Sequence, residues 1–143
     1  MTTKEIIAKD RWAAEEAFCK GNVDAFNEVF APDAIFHTPM GEMKGLEEFK
    51  KAIPIMRQSF SDVRIEWEEE ICEGNSGMQR FTFHMKHTGT SPMFPMPPTG
   101  KDTVYKGCAV YHVKEGKIVE FFEYADMLGF MQQLGAIPPM GQK

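Results

Sequence analysis

The first part of the chain places apolar residues at the spacing of an amphipathic helix. Thr3 is expected to cap this helix, and Gly21-Asn22 is expected to end it. Its apolar positions recur every three or four residues, with charged residues between them: Ile6, Ile7, Ala14, Ala17 and Phe18. The pattern therefore predicts that the chain opens with a helix packed on one side.

Shorter elements follow up to residue 60. A second helix carrying Phe26, Val29 and Phe30 is expected to close at residues 31–33, and residues 34–38 to form a short strand before a turn at residues 39–41. A third helix is predicted from Gly45-Leu46 onward, with a buried stripe that extends to Phe60. Pro54 lies inside it and removes a backbone donor, so a kink or break is expected there.

Beyond residue 62 the apolar period changes from nearly four to two. Strands are predicted over residues 63–71, 78–90, 104–113 and 117–125, and a final helix over residues 127–134. Helices followed by long strands predict an α+β fold, with N-terminal helices packed on one face of a curved antiparallel sheet. A sheet bent over helices forms a cone with an open mouth, and a ligand would bind inside it.

A proline-rich loop separates the second and third of these long strands. Four prolines between residues 91 and 100 keep it stiff and extended. Its large apolar residues, which include Met93 and Phe94, are poor choices for a loop that faces only water. We expect them to contribute to the wall of the cavity.

Composition and charge exclude several classes of protein. With 143 residues, 43% of them hydrophobic and 26% charged, the chain is expected to form one domain over residues 1–143. A net charge of −5 without a basic stripe argues against nucleic acid or an anionic membrane as partner. No apolar signal or membrane-spanning segment is present, and three cysteines without C-x-x-C spacing argue against a disulfide framework or zinc site. These features favour the reducing cytoplasm.

The last predicted strand carries the strongest candidate for chemistry. Strand alternation places Phe121 and Glu123 on one face, and Glu120, Phe122 and Tyr124 on the other. If Phe121 faces the cavity, Glu123 does too. A carboxyl group in an apolar pocket has a raised pKa, which suits acid/base catalysis near neutral pH. The alternative is that Glu123, at a strand end, is solvated or paired.

The preceding strand offers hydrogen-bond donors on one face. Tyr105, Gly107, Ala109 and Tyr111 alternate along it, and either tyrosine could polarise a ligand carbonyl or satisfy a polar group in the core. Gly107 and Ala109 leave room for a ligand, or for close packing of a neighbouring element. Asp126 is expected to cap the last helix and could thereby reach the cavity rim.

Histidines and a tryptophan complete the candidates. His87 shares a face with Phe83 and Met85, so it is a candidate polar group of the site, and His37 is another. His84 lies on the opposite face from His87, so the two cannot chelate one metal. For both candidates a structural role is the alternative. Trp67 is expected to line the cavity or to pack in the core or an interface.

Several short motifs together resemble one family. They are His87-Thr88-Gly89, Pro97-Pro98-Thr99-Gly100, Gly116-Lys117-Ile118-Val119-Glu120 and the run from Asp126 through Leu128-Gly129 to Gln133-Leu134-Gly135. The chain is similar to the SnoaL-like polyketide cyclases (ester cyclases), which have the cone-shaped nuclear transport factor 2-like, or cystatin-like, fold. The resemblance implies ring closure of a polyketide ester by intramolecular aldol condensation, without a metal or organic cofactor.

The resemblance also assigns roles along the last two strands. Alignment through Gly116-Lys117-Ile118 places the family's catalytic carboxylate at Glu123 and its assisting histidine at Ala109. It turns the face of Tyr105 and Tyr111 inward. Taken together with the residue patterns, the candidate catalytic residues are Glu123, His87 and Tyr105. The candidate substrate-binding residues are His37, Trp67, Phe83, Met85, Met93, Phe94, Ala109, Tyr111, Phe121 and Asp126.

Three functions are compatible with this sequence. The first is a cofactor-independent cyclase or isomerase that acts on a hydrophobic carbonyl compound. The second is a non-catalytic protein that binds a hydrophobic small molecule in the same cone. The third is an interaction module whose outer sheet face, with Phe122 and Tyr124, serves dimerisation. Exposed aromatic residues on that face predict a homodimer or a higher homo-oligomer under each of them.

Overall fold

A single six-stranded sheet organises the computed structural model, which describes residues 1–139. Residues 140–143 of the predicted domain lie outside the described residues. The strands are β1 (Phe30–Thr38), β2 (Gly41–Lys44), β3 (Phe60–Glu73), β4 (Ser76–His87), β5 (Asp102–Lys114) and β6 (Lys117–Ala125). The helices are α1 (Thr3–Ala14), α2 (Leu46–Arg57) and α3 (Met127–Gln133). The α+β class predicted from the order of elements is confirmed.

The strand order is β2-β1-β6-β5-β4-β3. Four of the neighbouring pairs are antiparallel, whereas β1 and β6 run parallel. The predicted antiparallel sheet is therefore mixed, although mostly antiparallel. The parallel pair joins the first strand of the chain to the last, so β6 lies between β1 and β5 in the middle of the sheet.

The first helix begins one residue earlier than expected. Thr2, not Thr3, is the N-cap: its hydroxyl accepts from the Glu5 N–H, and the Glu5 carboxylate accepts from the Thr2 N–H in return. The helix continues beyond Ala14 as a π-helical segment, Glu15–Cys19, before Gly21 turns the chain with a φ of +82°.

The elements on either side of the start of β1 differ from the predicted ones. The second helix is a short 3₁₀ segment, Val23–Glu28, and Phe30 already belongs to β1. Pro32 falls in a bulge of β1 between Phe30 and Ile35, where a missing N–H breaks no ladder. Strand β2 was not expected, because a four-residue edge strand is too short to show alternation.

The third helix is not broken at Pro54. It continues through this proline to Arg57, and Phe60 begins β3 instead of extending the helical stripe. Pro54 lies in the last turns of the helix, where the lost donor affects a single backbone bond. A kink at this position stays a prediction.

The core lies between the helices and the inner face of the sheet. Aromatic rings fill its N-terminal half: Phe36 and Phe49 stack with ring centroids 4.2 Å apart, and Phe26, Phe30 and Phe121 pack around them. Within residues 1–139, no helix is both long and apolar enough to cross a bilayer.

The proline-rich loop is fastened to the end of β4. The Gly100 N–H donates to the His87 carbonyl at 2.8 Å, and the Ser59 hydroxyl donates to the Ser91 hydroxyl at 2.8 Å. Phe94 is buried beneath the loop, as expected from its apolar character. A Cβ on Gly89 would lie 2.1 Å from the Gln58 carbonyl oxygen, so only glycine fits at this crossing.

Candidate active site

A cavity of about 140 Å³ lies between the inner face of the sheet and the helices. This volume is comparable to that of a cavity that holds benzene. The wall is almost entirely apolar and includes ten phenylalanines and six methionines. Nine of the predicted site residues line it: Trp67, Phe83, Met85, Met93, Phe94, Tyr105, Tyr111, Phe121 and Glu123.

Glu123 lies in this wall near the end of β6. It pairs with Ala109 on the neighbouring strand β5. The alternation of side chains along β6 turns Glu123 inward together with Phe121. Burial raises the pKa of Glu123, while a hydrogen bond from Tyr105 acts in the opposite direction. The carboxyl group is therefore placed in the apolar pocket that acid/base chemistry requires.

Tyr105 is the hydrogen-bond partner of Glu123. Its hydroxyl donates to Glu123 Oε2. Burial and the adjacent negative charge raise the pKa of this phenol, so it remains a donor at physiological pH. Its ring packs against Phe130 of α3, with centroids 5.0 Å apart. The Tyr105 hydroxyl thus gives Glu123 a hydrogen bond, which Ala109 has no side-chain donor to supply.

His87 lies outside the cavity wall, although it shares the inward parity of Phe83 and Met85. Its Nδ1 accepts from the Thr99 N–H at 3.1 Å, and its ring packs on Phe60. Burial lowers the pKa of the imidazole. The ring therefore fastens the proline-rich loop to β4, and the expectation that it supplies a catalytic group is corrected by its position. Strand parity fixes the face of a residue, not its distance from the cavity.

His37 projects from the outer face of the sheet. Its Nε2 lies 2.8 Å from Glu120 Oε2, and its ring stacks on Phe122 with centroids 4.6 Å apart. The following residues, Thr38 to Met40, do contribute to the cavity wall. The expected contact of His37 with substrate is therefore corrected, because the residue sits at the opposite parity of β1.

Two further expectations are also resolved by position. Asp126 caps α3 by accepting from the Gly129 N–H at 2.9 Å, and it is not part of the cavity wall. Ala109 is fully buried and also lies behind the wall. A Cβ on Gly107 would approach the Tyr124 carbonyl oxygen to 2.6 Å, so this glycine permits close strand packing and not space for a ligand.

A second carboxyl group in the wall was missed by sequence reasoning. Asp10 of α1 lines the cavity with only 2% of its surface exposed, and burial raises its pKa to about 7. The signal was present in the sequence. Asp10 falls on the buried helical stripe of Ile6, Ile7, Ala13 and Ala14, where a charged residue is out of place.

Trp67 both lines the cavity and ties two elements together. Its indole N–H donates to Glu15 Oε1 at 3.1 Å, which connects β3 to the π-helical segment after α1. Its ring packs edge-on against Phe81 of β4. The residue therefore has the structural role that was the alternative, in addition to its place in the wall.

The described part of the chain contains no cluster of three or more histidine, cysteine, aspartate or glutamate side chains arranged to hold a metal ion. Cys19, Cys72 and Cys108 are free thiols. The polar groups in the wall are few: Asp10, Thr38, Trp67, Tyr105, Tyr111 and Glu123. No lysine, arginine or histidine of residues 1–139 lines it, so an uncharged ligand matches it best.

Comparison with known proteins identifies a family and related sequences. The sequence model described as SnoaL-like polyketide cyclase matches residues 10–134. The aklanonic acid methyl ester cyclase DnrD of Streptomyces peucetius is 29% identical over 112 residues, which cover 76% of this chain and 72% of that protein.

Solved structures share the fold at lower identity. IdmH of Streptomyces antibioticus superimposes with a TM-score of 0.76 and 23% identity, over 94% of this chain and 99% of that chain. A protein with a ketosteroid isomerase-like fold from Catenulispora acidiphila gives a TM-score of 0.73 and 18% identity, over 95% and 96% of the two chains. The chain belongs to the SnoaL-like polyketide cyclase family and has its nuclear transport factor 2-like fold.

Proposed function

We propose that this member of the SnoaL-like polyketide cyclase family is a cofactor-independent enzyme that closes a ring in a hydrophobic carbonyl compound. The observation that carries the proposal is the Glu123 carboxyl group, half-buried in the wall of an apolar cavity and hydrogen-bonded by Tyr105. The relative DnrD is named for the cyclisation of aklanonic acid methyl ester. A neutral ester of this kind suits a wall without cationic side chains.

The proposed chemistry is an intramolecular aldol addition. The Glu123 carboxylate removes a proton from the carbon next to a carbonyl group, and the resulting enolate carbon attacks a second carbonyl carbon of the same molecule. One carbon–carbon bond forms, the second carbonyl becomes an alkoxide, and the protonated Glu123 returns its proton to that oxygen. Substrate and product are isomers of equal mass, so no redox partner is needed.

Tyr105 has a positioning role in this scheme. Its hydrogen bond holds the carboxylate in one orientation and keeps the charged form accessible in an apolar site. Without that bond, burial alone would favour the protonated acid, which cannot act as a base. The other donors suggested by the sequence, His87 and His37, do not line the cavity and make their hydrogen bonds elsewhere.

A second function is supported by the cavity wall itself. Six methionines and ten phenylalanines form an adaptable apolar surface that would also suit a non-catalytic binding protein. The cavity volume of about 140 Å³ fits one ring, so a larger ligand requires these flexible side chains to move. Both functions therefore predict a neutral, largely apolar ligand.

Turnover of a defined compound separates the two functions. We expect the purified protein to convert aklanonic acid methyl ester into a cyclised isomer faster than buffer alone, measured by liquid chromatography of products of unchanged mass. Absence of turnover, together with an apolar ligand retained in native mass spectrometry, would support the binding protein and contradict the enzyme.

A further inference from the structure

Asp10 is a buried acid that the proposed reaction does not use. It lies on the apolar face of α1, between Ile6–Ile7 and Ala13–Ala14, and contributes to the cavity wall. Its Oδ1 atom has no hydrogen-bond partner among the described residues. An unpaired buried oxygen costs stability unless a ligand or another group satisfies it. Whether Asp10 donates or accepts a hydrogen bond depends on its neighbours Tyr111, Gln79 and Glu70.

The amide of Gln79 fixes the direction of the hydrogen bonds in this region. Its Nε2 donates to the Ile7 carbonyl at 2.8 Å and to Glu70 Oε1 at 2.9 Å. Both partners are acceptors, and Glu70 is also paired with Arg11 at 3.1 Å. The other end of the amide, Oε1, is therefore an acceptor. It receives the hydrogen bond from the Tyr111 hydroxyl at 2.7 Å.

The single proton of Tyr111 is thus committed to Gln79. The Asp10 carboxyl group lies beside the same hydroxyl, which is left with acceptor capacity only. A hydrogen bond between these two groups therefore needs Asp10 as the donor, in its protonated form. Burial raises the pKa of Asp10 to about 7, and the charge of Glu70 from β3 acts in the same direction against an opposing effect of Tyr111 from β5.

We propose that Asp10 is a specificity-determining residue that binds a hydroxyl group of the ligand through Oδ1. The neutral acid donates to Tyr111 from one oxygen and accepts from the ligand at the other. A one-directional chain of hydrogen bonds then runs from the ligand hydroxyl through Asp10, Tyr111 and Gln79 to the Glu70 carboxylate. The proposal rests on the proposed function only in that the ligand occupies the same cavity.

The chemical class of ligand follows from the direction of this chain. A phenol or enol can donate to Oδ1, whereas an aryl ether or a bare ring leaves the buried oxygen unpaired. Sites built to bind a hydroxyl group reject analogues that lack it, because the buried polar group then loses its partner. We therefore expect selection for a neutral aromatic or enolic compound that carries a free hydroxyl.

The test compares two probes, 2-naphthol and 2-methoxynaphthalene, whose second ring requires the flexible methionine side chains of the wall to move. At pH 6 the wild-type protein should bind 2-naphthol at least about tenfold more tightly by calorimetry, which corresponds to one hydrogen bond. Asp10→Asn should keep this preference, because a neutral amide can also donate to Tyr111 and accept from the ligand. Asp10→Leu, of similar size but without polar atoms, should lose it.

Equal affinity of the two probes, or failure of both to bind the wild-type protein, would overturn the proposal. So would a preference that survives in Asp10→Leu or disappears in Asp10→Asn. Asp10→Ala serves as the second apolar variant if Asp10→Leu does not fold, as judged by circular dichroism. Glu123→Gln should retain the preference for 2-naphthol whether or not it supports turnover, so this result is independent of the proposed reaction.

Discussion

At the scale of single residues, two acids in one cavity have different hydrogen-bond partners. Glu123 accepts from Tyr105, which has no other acceptor among the described residues, whereas Tyr111, beside Asp10, already donates to Gln79. The first arrangement supports a carboxylate and the second a neutral acid. Environments that separate the protonation states of two acids are the usual basis of acid and base roles.

The pair Glu123–Tyr105 leads to a prediction about pH. Tyr105→Phe removes the hydrogen bond that lowers the pKa of Glu123, while burial, which raises that pKa, remains. Since the base must be deprotonated, the acidic limb of kcat/KM should move to higher pH. At a pH below this limb the rate should fall about tenfold or more, as expected for a lost bond to a charged group.

Tyr124→Phe is the matched control, because Tyr124 is 64% exposed on the opposite face of β6. Its pH profile should match that of the wild-type protein. An acidic limb that stays in place or moves to lower pH in Tyr105→Phe would show that Tyr105 does not set the charge of Glu123.

These residues could be predicted from the sequence where their position depends on local alternation, and not where it depends on contacts between distant parts of the chain. Strand alternation is local, so it correctly grouped Phe121 with Glu123, whereas the inward direction of Tyr105 came from the family resemblance; all three line the cavity. The same rule failed for His87, because the distance from the cavity depends on how the sheet and the loop fold. Asp10 was predictable from the helical stripe of α1, since its spacing places it among buried residues.

At the scale of elements, α3 closes one side of the cavity. It is attached to β5 by one side chain, Gln133, which pairs with backbone groups of β5 as a neighbouring strand would. The Gln133 amide accepts from the Val104 N–H at 2.7 Å and donates to the Val104 carbonyl at 2.9 Å. These are the backbone groups of β5 that β6 no longer pairs. The attachment positions Met127 and Phe130 in the wall.

Gln133→Leu should therefore destabilise the protein by roughly 2 kcal/mol, since two hydrogen bonds of about 1 kcal/mol each are lost and two backbone groups are left unpaired. Urea unfolding measures the effect. Gln132→Leu is the control, because Gln132 makes only a 3.4 Å contact with the Pro138 carbonyl. Equal stability of the two variants would contradict this role of Gln133.

Long elements were predicted correctly from the sequence, whereas short ones were missed. The four long strands showed clear alternation and were found, with ends shifted by a few residues. Strand β2 and the start of β1 were missed because short edge strands and a bulge at Pro32 carry no period. The helix through Pro54 was drawn too long, since Phe60 continues the helical spacing although it belongs to β3.

At the scale of the whole molecule, the fold could be predicted mainly through the family resemblance. Local patterns indicated helices and strands, but the parallel pairing of β1 with β6 joins distant parts of the chain and leaves no periodic signal. The motifs of the resemblance have structural explanations. Thr99 and His87 fasten the loop to β4, Asp126 caps α3, and Gln133 holds α3 on β5.

The outer face of the sheet leads to a prediction about assembly. Tyr124 is exposed there beside Phe122, whose ring stacks on His37 and packs edge-on against His112. We expect a homodimer through this face, with twice the mass of one chain in analytical ultracentrifugation. Tyr124→Glu should shift it toward monomer. Ile71→Glu, an exposed site on β3, should not. A monomeric wild-type protein would contradict this expectation.

The central claim is that Glu123 of β6 is the base that transfers the proton in the cavity. The most direct measurement compares kcat for aklanonic acid methyl ester in Glu123→Gln and Glu120→Gln, two changes of the same type on opposite faces of one strand. Glu123→Gln should lose about 10²- to 10⁴-fold in kcat, the usual contribution of a general base, while Glu120→Gln should stay near the wild-type rate. A Glu123→Gln variant as fast as the wild-type protein, or an equal loss in both variants, would contradict the claim.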